Sequence, residues 1–83
     1  MHRATSRFWE QFRNLPTETQ ELAKKSFELL KRDPQHPSLR FKKVGRFWSV
    51  RVGKTYRALA IEDEDGLIWV WIGHHKDYDR LVK

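Results

Sequence analysis

Six consecutive apolar residues, Leu67-Ile68-Trp69-Val70-Trp71-Ile72, constrain the fold of this chain more than any other feature. The run is far too short to span a membrane. Asp63-Glu64-Asp65-Gly66 precedes it and Gly73 follows it, so it reads as a strand entered through a tight hairpin loop. A strand with no polar side belongs in the interior of a sheet, covered on both faces. Under regular alternation Trp69 and Trp71 share one face, and Ile68, Val70 and Ile72 take the other. If the aliphatic face meets helices, the two Trp line the opposite, concave face.

The segments before it supply partner strands. Phe47 to Val52 alternates Trp48, Val50 and Val52 with Ser49 and Arg51, which is the period of a strand apolar on one side and cationic on the other. Gly53-Lys54-Thr55 is a turn, and Tyr56 to Glu62 is the next strand. Upstream, Leu39 to Val44 is expected as a first strand with Leu39, Phe41 and Lys43 on one side, and Gly45-Arg46 turns the chain. Tight turns make these neighbours antiparallel. Gln35-His36-Pro37-Ser38 is expected to be extended, because Pro34 and Pro37 disfavour a helix there.

The cover comes from the N-terminal third. Phe8, Trp9, Phe12 and Leu15 follow the spacing of an amphipathic helix over 5–14, with Thr5 or Ser6 as its cap and Asn14 as its stop. Leu15-Pro16 opens a second helix, and Thr17-Glu18-Thr19-Gln20 fits a capping box in which Gln20 reaches back. Leu22, Ala23, Ser26, Phe27 and Leu30 form its apolar stripe. Glu21 and Lys25 are an i,i+4 pair, and Asp33-Pro34 ends the helix. Residues 73–83 form a short final helical turn. The expected fold is α+β: an N-terminal helical hairpin packed on one face of a four-stranded, mainly antiparallel twisted sheet, in one domain spanning residues 1–83.

Charge is distributed unevenly. The net charge is +6 and the isoelectric point about 10.0, and the stretch from Leu39 to Arg57 holds seven of the 17 Lys/Arg residues. Between Pro34 and Ile61 there is no acid at all. A basic face built on strands points to a polyanion or an acidic protein as partner. The chain has no Cys, which excludes disulfides and thiolate metal sites and suits the cytosol. No run reads as a signal peptide or a membrane span. His74-His75 could suggest a metal, but adjacent residues at a strand end point apart and no acid or Cys set joins them, so neither a metal nor another cofactor is expected.

Several ordered pieces resemble the RelE/ParE superfamily, the toxin half of type II toxin–antitoxin pairs. They are Leu15-Pro16 with the Gln20 helix, Asp33-Pro34 with Pro37-Ser38-Leu39, Phe41-Lys42-Lys43, Trp48-Ser49-Val50-Arg51-Val52-Gly53, Tyr56-Arg57-Ala58-Leu59, and Gly73-x-His75-x-x-Tyr78-Asp79. The resemblance implies the helix-on-sheet fold expected above and neutralisation by an antitoxin segment lying over the toxin. It leaves two activities open: ribosome-dependent cleavage of mRNA in RelE-like members, and inhibition of DNA gyrase in ParE-like members, which lack the nuclease residues. A non-toxic relative that binds RNA or protein is a third reading.

Metal-independent RNA cleavage needs a base for the ribose 2′-OH, cations for the charge developing on phosphorus, and an acid for the leaving 5′-oxygen. Arg51 and Arg57 are the expected phosphate holders, since a guanidinium makes paired hydrogen bonds to phosphate oxygens. The competing reading of Arg57 is an exposed strand residue pairing with Glu62 or Asp77. The resemblance brings in His75 and Tyr78, as proton carrier and as phosphate-orienting or stacking group; the competing reading packs Tyr78 on the sheet edge and uses His74 or His75 as a cap. Lys42 and Lys43 alternate in facing, so one of them joins the functional face, and Glu62 is a possible base. Arg40, Arg46 and Lys54 are expected to steer the nucleic-acid backbone.

Overall fold

The computed structural model describes residues 2–82. It contains a short strand β1 (His2–Ala4), helices α1 (Ser6–Arg13) and α2 (Thr17–Arg32), a 3₁₀ turn (Pro37–Leu39), strands β2 (Lys42–Val44), β3 (Phe47–Val52), β4 (Tyr56–Asp63) and β5 (Gly66–His74), and helix α3 (His75–Leu81). The strands form one sheet in the order β1-β5-β4-β3-β2, antiparallel throughout except for the parallel pair β1–β5.

The fifth strand corrects the expected count of four. His2–Ala4 has no apolar alternation and is too short to announce itself, and it is a strand only because the edge of β5 offers it a ladder. Thr5 N–H continues that ladder to Trp69 C=O at 3.0 Å. With β1 on one side and β4 on the other, β5 is interior, as its composition requires. Its two faces are not equally covered, however. Trp69 and Ile72 are buried, while Ile68, Val70 and Trp71 are half-buried.

Helices α1 and α2 cover one face only. α1 packs on β5 and α2 on β3. Thr5 caps α1, its hydroxyl accepting from Phe8 N–H at 3.1 Å. Phe8 and Phe12 from α1, Ala23 and Leu30 from α2, and Leu39 close over Val50, Val52, Ala58, Ala60, Trp69 and Ile72. The two helices meet through Phe8 and Phe27, whose rings lie 6.0 Å apart edge to face, and Phe27 in turn meets Trp69 at 4.9 Å. Fully burying a Phe of this kind contributes about 2–3 kcal/mol, a large share for a small domain.

Several local expectations give way to packing. Gln20 does not close a capping box; its Nε2 donates to Arg13 and Leu15 carbonyls at 3.2 and 3.0 Å, which clamps the α1–α2 connection instead. Leu22 is exposed, not part of the buried stripe, and Thr19 takes the buried place. Glu21 pairs with Lys24 at 3.6 Å, one residue short of Lys25. The segment after Pro34 is not extended throughout: His36 Nδ1 caps the 3₁₀ turn by accepting from Ser38 N–H at 3.2 Å. That turn consumes Leu39 and leaves Arg40 with φ +46°, so β2 starts only at Lys42.

A β-bulge at Val70 overturns the expected sharing of faces by the two tryptophans. Leu59 faces Trp71 and Ala60 faces Trp69, so Val70 has no cross-strand partner. One extra residue shifts the phase of the strand. Trp69 and Ile72 therefore both point to the helices, and Trp71 is on the opposite, open face with Ile68.

Candidate nucleic-acid interface

The open face, on which Ser49 and Leu59 are nonetheless buried, is ordered by strand register. Ser49 opposes Leu59, and Leu59 opposes Trp71; one row further, Arg51 opposes Arg57, and Arg57 opposes Gly73. Directly opposed residues of an antiparallel pair point to the same side with Cβ atoms about 5 Å apart. Two arginines in that relation repel each other, and among the described residues no ion pair joins either one to a carboxylate. Glu62 and Asp77, the partners that a merely structural Arg57 would use, are engaged elsewhere: Glu62 by Lys43 and by Trp48 Nε1–H, Asp77 by Arg80.

Both guanidinium groups are held by backbone carbonyls. Arg51 Nε donates to Gly53 C=O at 2.8 Å, and an Arg57 terminal nitrogen donates to Tyr56 C=O at 2.9 Å. These bonds fix each group at one end and leave other N–H donors for an anion. Burial, then the charges of Arg51 and Arg40, pull the Arg57 guanidinium below its ordinary value, while Tyr78 and Asp79 act in the opposite direction. Like charges held together without an ion pair of their own attract an anion.

Helix α3 closes the site. Its cap is His74, whose Nδ1 accepts from Lys76 N–H at 3.1 Å, and His75 N–H donates to Thr55 C=O at 2.8 Å. This anchoring carries the Tyr78 ring to 6.0 Å from the Arg57 guanidinium carbon, a cation–π distance. Arg51, Arg57 and Tyr78 are thus brought together. His75 is not joined to them: its ring stacks on His74 at 4.6 Å, with the planes 27° apart, which also corrects the expectation that the two rings diverge. Among the described residues no group of three or more His, Asp or Glu is placed to hold a metal ion.

The remaining cations separate. Lys42 opposes Ser49 and so belongs to the open face. Lys43 opposes Trp48 on the helix-facing side, lies over the Trp48 ring and pairs with Glu62 at 3.9 Å. Arg46 sits in the β2–β3 turn against the Phe47 ring at 5.2 Å, and Lys54 is exposed in the β3–β4 turn. Arg40 follows the 3₁₀ turn, and its charge adds a smaller lowering influence on Arg57 than Arg51 does.

The chain matches the family model described as a ParE-like toxin domain over residues 17–80. No curated protein sequence matches it. Among solved structures, the RelB–RelE antitoxin–toxin complex of Methanococcus jannaschii contains a chain that is similar with a TM-score of 0.73 at 18% identity, covering 98% of this chain and 99% of that one. A YoeB/ParE toxin from Agrobacterium tumefaciens is similar with a TM-score of 0.68 at 14% identity, over 89% and 96% of the two chains. The RelBE2 toxin–antitoxin complex of Mycobacterium tuberculosis gives a TM-score of 0.62 at 25% identity, over 89% and 95%.

Proposed function

The chain belongs to the ParE-like toxin domain family, within the RelE/ParE superfamily, and from that premise we propose that it is a toxin of a type II toxin–antitoxin system whose chemistry is ribosome-dependent cleavage of mRNA. The observation that carries this reading is the Arg57–Tyr78 contact beside Arg51. It sets an aromatic ring against a guanidinium that has a second arginine directly opposite it on the neighbouring strand.

In the reaction the 2′-oxygen attacks the adjacent phosphorus, the P–O5′ bond breaks, and a 2′,3′-cyclic phosphate and a 5′-hydroxyl result. Arg51, Arg57 and Arg40 stabilise the charge that grows on the non-bridging oxygens. Tyr78 orients the phosphate, and Lys42, on the same face, meets the neighbouring RNA backbone. His75, one helical turn before Tyr78, is the proton carrier once its ring leaves His74. The partner that silences the protein is an antitoxin segment whose acids match the basic sheet; the similar chains from Methanococcus and Mycobacterium come from antitoxin–toxin complexes.

Addition of the purified protein to translating ribosomes, with cleavage mapped on the mRNA, tests the proposal. Wild type cuts, Arg57→Ala loses cutting by about a hundred-fold or more, and Tyr78→Phe reduces it. Intact mRNA together with arrested DNA supercoiling would overturn it. That second outcome belongs to a non-enzymatic gyrase inhibitor, a reading favoured by the stacking of His75 on His74 away from the arginines.

A further inference from the structure

Trp71 is the one tryptophan of β5 that the bulge directs away from the core, and its ring has an unusual seat. A Cβ built on Gly73 would lie 2.5 Å from Trp71 Cζ2 and 3.1 Å from both Cε2 and Cη2. Distances that similar to an atom and its two ring neighbours mean that the indole presents its face, not its edge, to the Gly73 position. Gly73 therefore leaves room for a ring to lie across the sheet. Gly73 is also the cross-strand neighbour of Arg57, so the indole lies one strand away from the guanidinium row. Trp71 as a whole is half-buried, so part of it meets solvent. Trp48 and Trp69 offer nothing comparable: Trp48 stacks on Phe41 at 4.8 Å, and Trp69 is buried against Phe27.

We propose that Trp71 is a stacking platform for one base of a single-stranded RNA whose neighbouring phosphate is held by Arg51 and Arg57, with Gly73 kept side-chain-free so that the indole can lie flat. This rests on the RNA reading of the basic face and deepens it by separating two roles. The arginines bind any phosphate, and Trp71 requires a base beside it. Stacking on an aromatic tolerates any base, so the platform confers a demand for single-stranded, unstacked nucleotides and no sequence code.

The test compares a short single-stranded oligoribonucleotide with an abasic ribose-phosphate oligomer of equal length, both titrated into the full chain at low ionic strength. Wild type binds the base-bearing oligomer about ten-fold to a hundred-fold more tightly. Trp71→Ala loses that preference and keeps its affinity for the abasic oligomer; Trp71→Phe retains part of it. Gly73→Ala, which leaves the indole in the chain but pushes it off its seat, loses the preference as well. A second measurement needs only wild-type protein once the indole N–H resonance is assigned: the Trp71 signal moves with the base-bearing oligomer and stays still with the abasic one. Equal binding of both oligomers by wild type, with weaker binding of both by Arg57→Ala, overturns the platform and leaves the phosphate site standing. Failure of wild type to bind either oligomer overturns both.

Discussion

Arg40 offers a way to separate strain from function at a single position. Its φ of +46° is in the left-handed region, which costs an L-residue about 1–2 kcal/mol. Glycine escapes that penalty but gives back roughly 0.5–1 kcal/mol through the greater freedom of its unfolded chain. Arg40→Gly is therefore expected to stabilise the fold by about 0.5–1 kcal/mol, and removal of a like charge near Arg57 acts in the same direction. For a domain of this size that is roughly 2–8 °C in Tm. Arg40→Ala removes the same charge and keeps the strain, so the difference between the two variants isolates the backbone. Thermal unfolding followed by circular dichroism should rank Gly above Ala, while both variants bind the oligoribonucleotide several-fold more weakly than wild type. If Ala is as stable as Gly, the strain argument is wrong. If either variant binds RNA as wild type does, Arg40 does not belong to the anion site.

Two further expectations concern groups outside that cluster. His2 Nδ1 accepts from Trp69 Nε1–H at 3.0 Å, and burial, the amino-terminal charge and Lys31 hold its pKa below the ordinary 6.5. A lowered histidine contributes stability above the unfolded pKa, and this is lost as pH falls from about 6.5 toward the folded value, so urea midpoints should drop across that window in wild type. They should stay flatter in His2→Asn, whose amide oxygen can accept without titrating. Glu62 accepts from Trp48 Nε1–H at 3.1 Å and pairs with Lys43, remote from Arg57 along β4, so Glu62→Gln should cleave ribosome-bound mRNA at the wild-type rate; a hundred-fold loss would make Glu62 the missing base.

What was legible in the sequence is what period and turn chemistry control. Alternation along Phe47–Val52 puts Arg51 on the polar side, and the turn at Gly53, with φ +63°, sets the register that brings Arg51 opposite Arg57. The amphipathic spacing of Phe8 and Phe12 placed α1 correctly, and the stop at Asp33-Pro34 did the same for the end of α2. Illegible features depend on contacts distant in sequence or on unusual cap chemistry. β1 exists because β5 has an open edge. The turn at Pro37–Leu39 is capped by an imidazole nitrogen, a role normally searched for among Ser, Thr, Asp and Asn. Arg40 takes its left-handed backbone from that turn, a conformation that no residue-type argument announces for an arginine.

The bulge is the most consequential of these features, because it divides two adjacent-looking tryptophans between core and site. It also yields an expectation opposite to the usual rule for an interior strand. Leu59 and Ala60 are consecutive, and they already face Trp71 and Trp69, so Val70 is the only residue of Ile68–Gly73 that the register does not require. Removing Val70 leaves Trp69, Trp71, Ile72 and Gly73 in strict alternation, each on the face it now occupies. The loss is a half-buried Val, about 1 kcal/mol of apolar burial, partly offset by a regular ladder and partly reinforced by a changed local twist. The deletion should therefore fold, with a urea midpoint corresponding to a loss of about 2 kcal/mol or less. Removing Ile68 instead breaks its pairing with Ile61 and shifts Leu67 to the wrong face, and it should unfold the domain. If removal of Val70 is as damaging as removal of Ile68, the bulge is not a separable insertion. The faces of β5 are then set by twist and not by phase, and the assignment of Trp71 to the arginine face loses its structural basis.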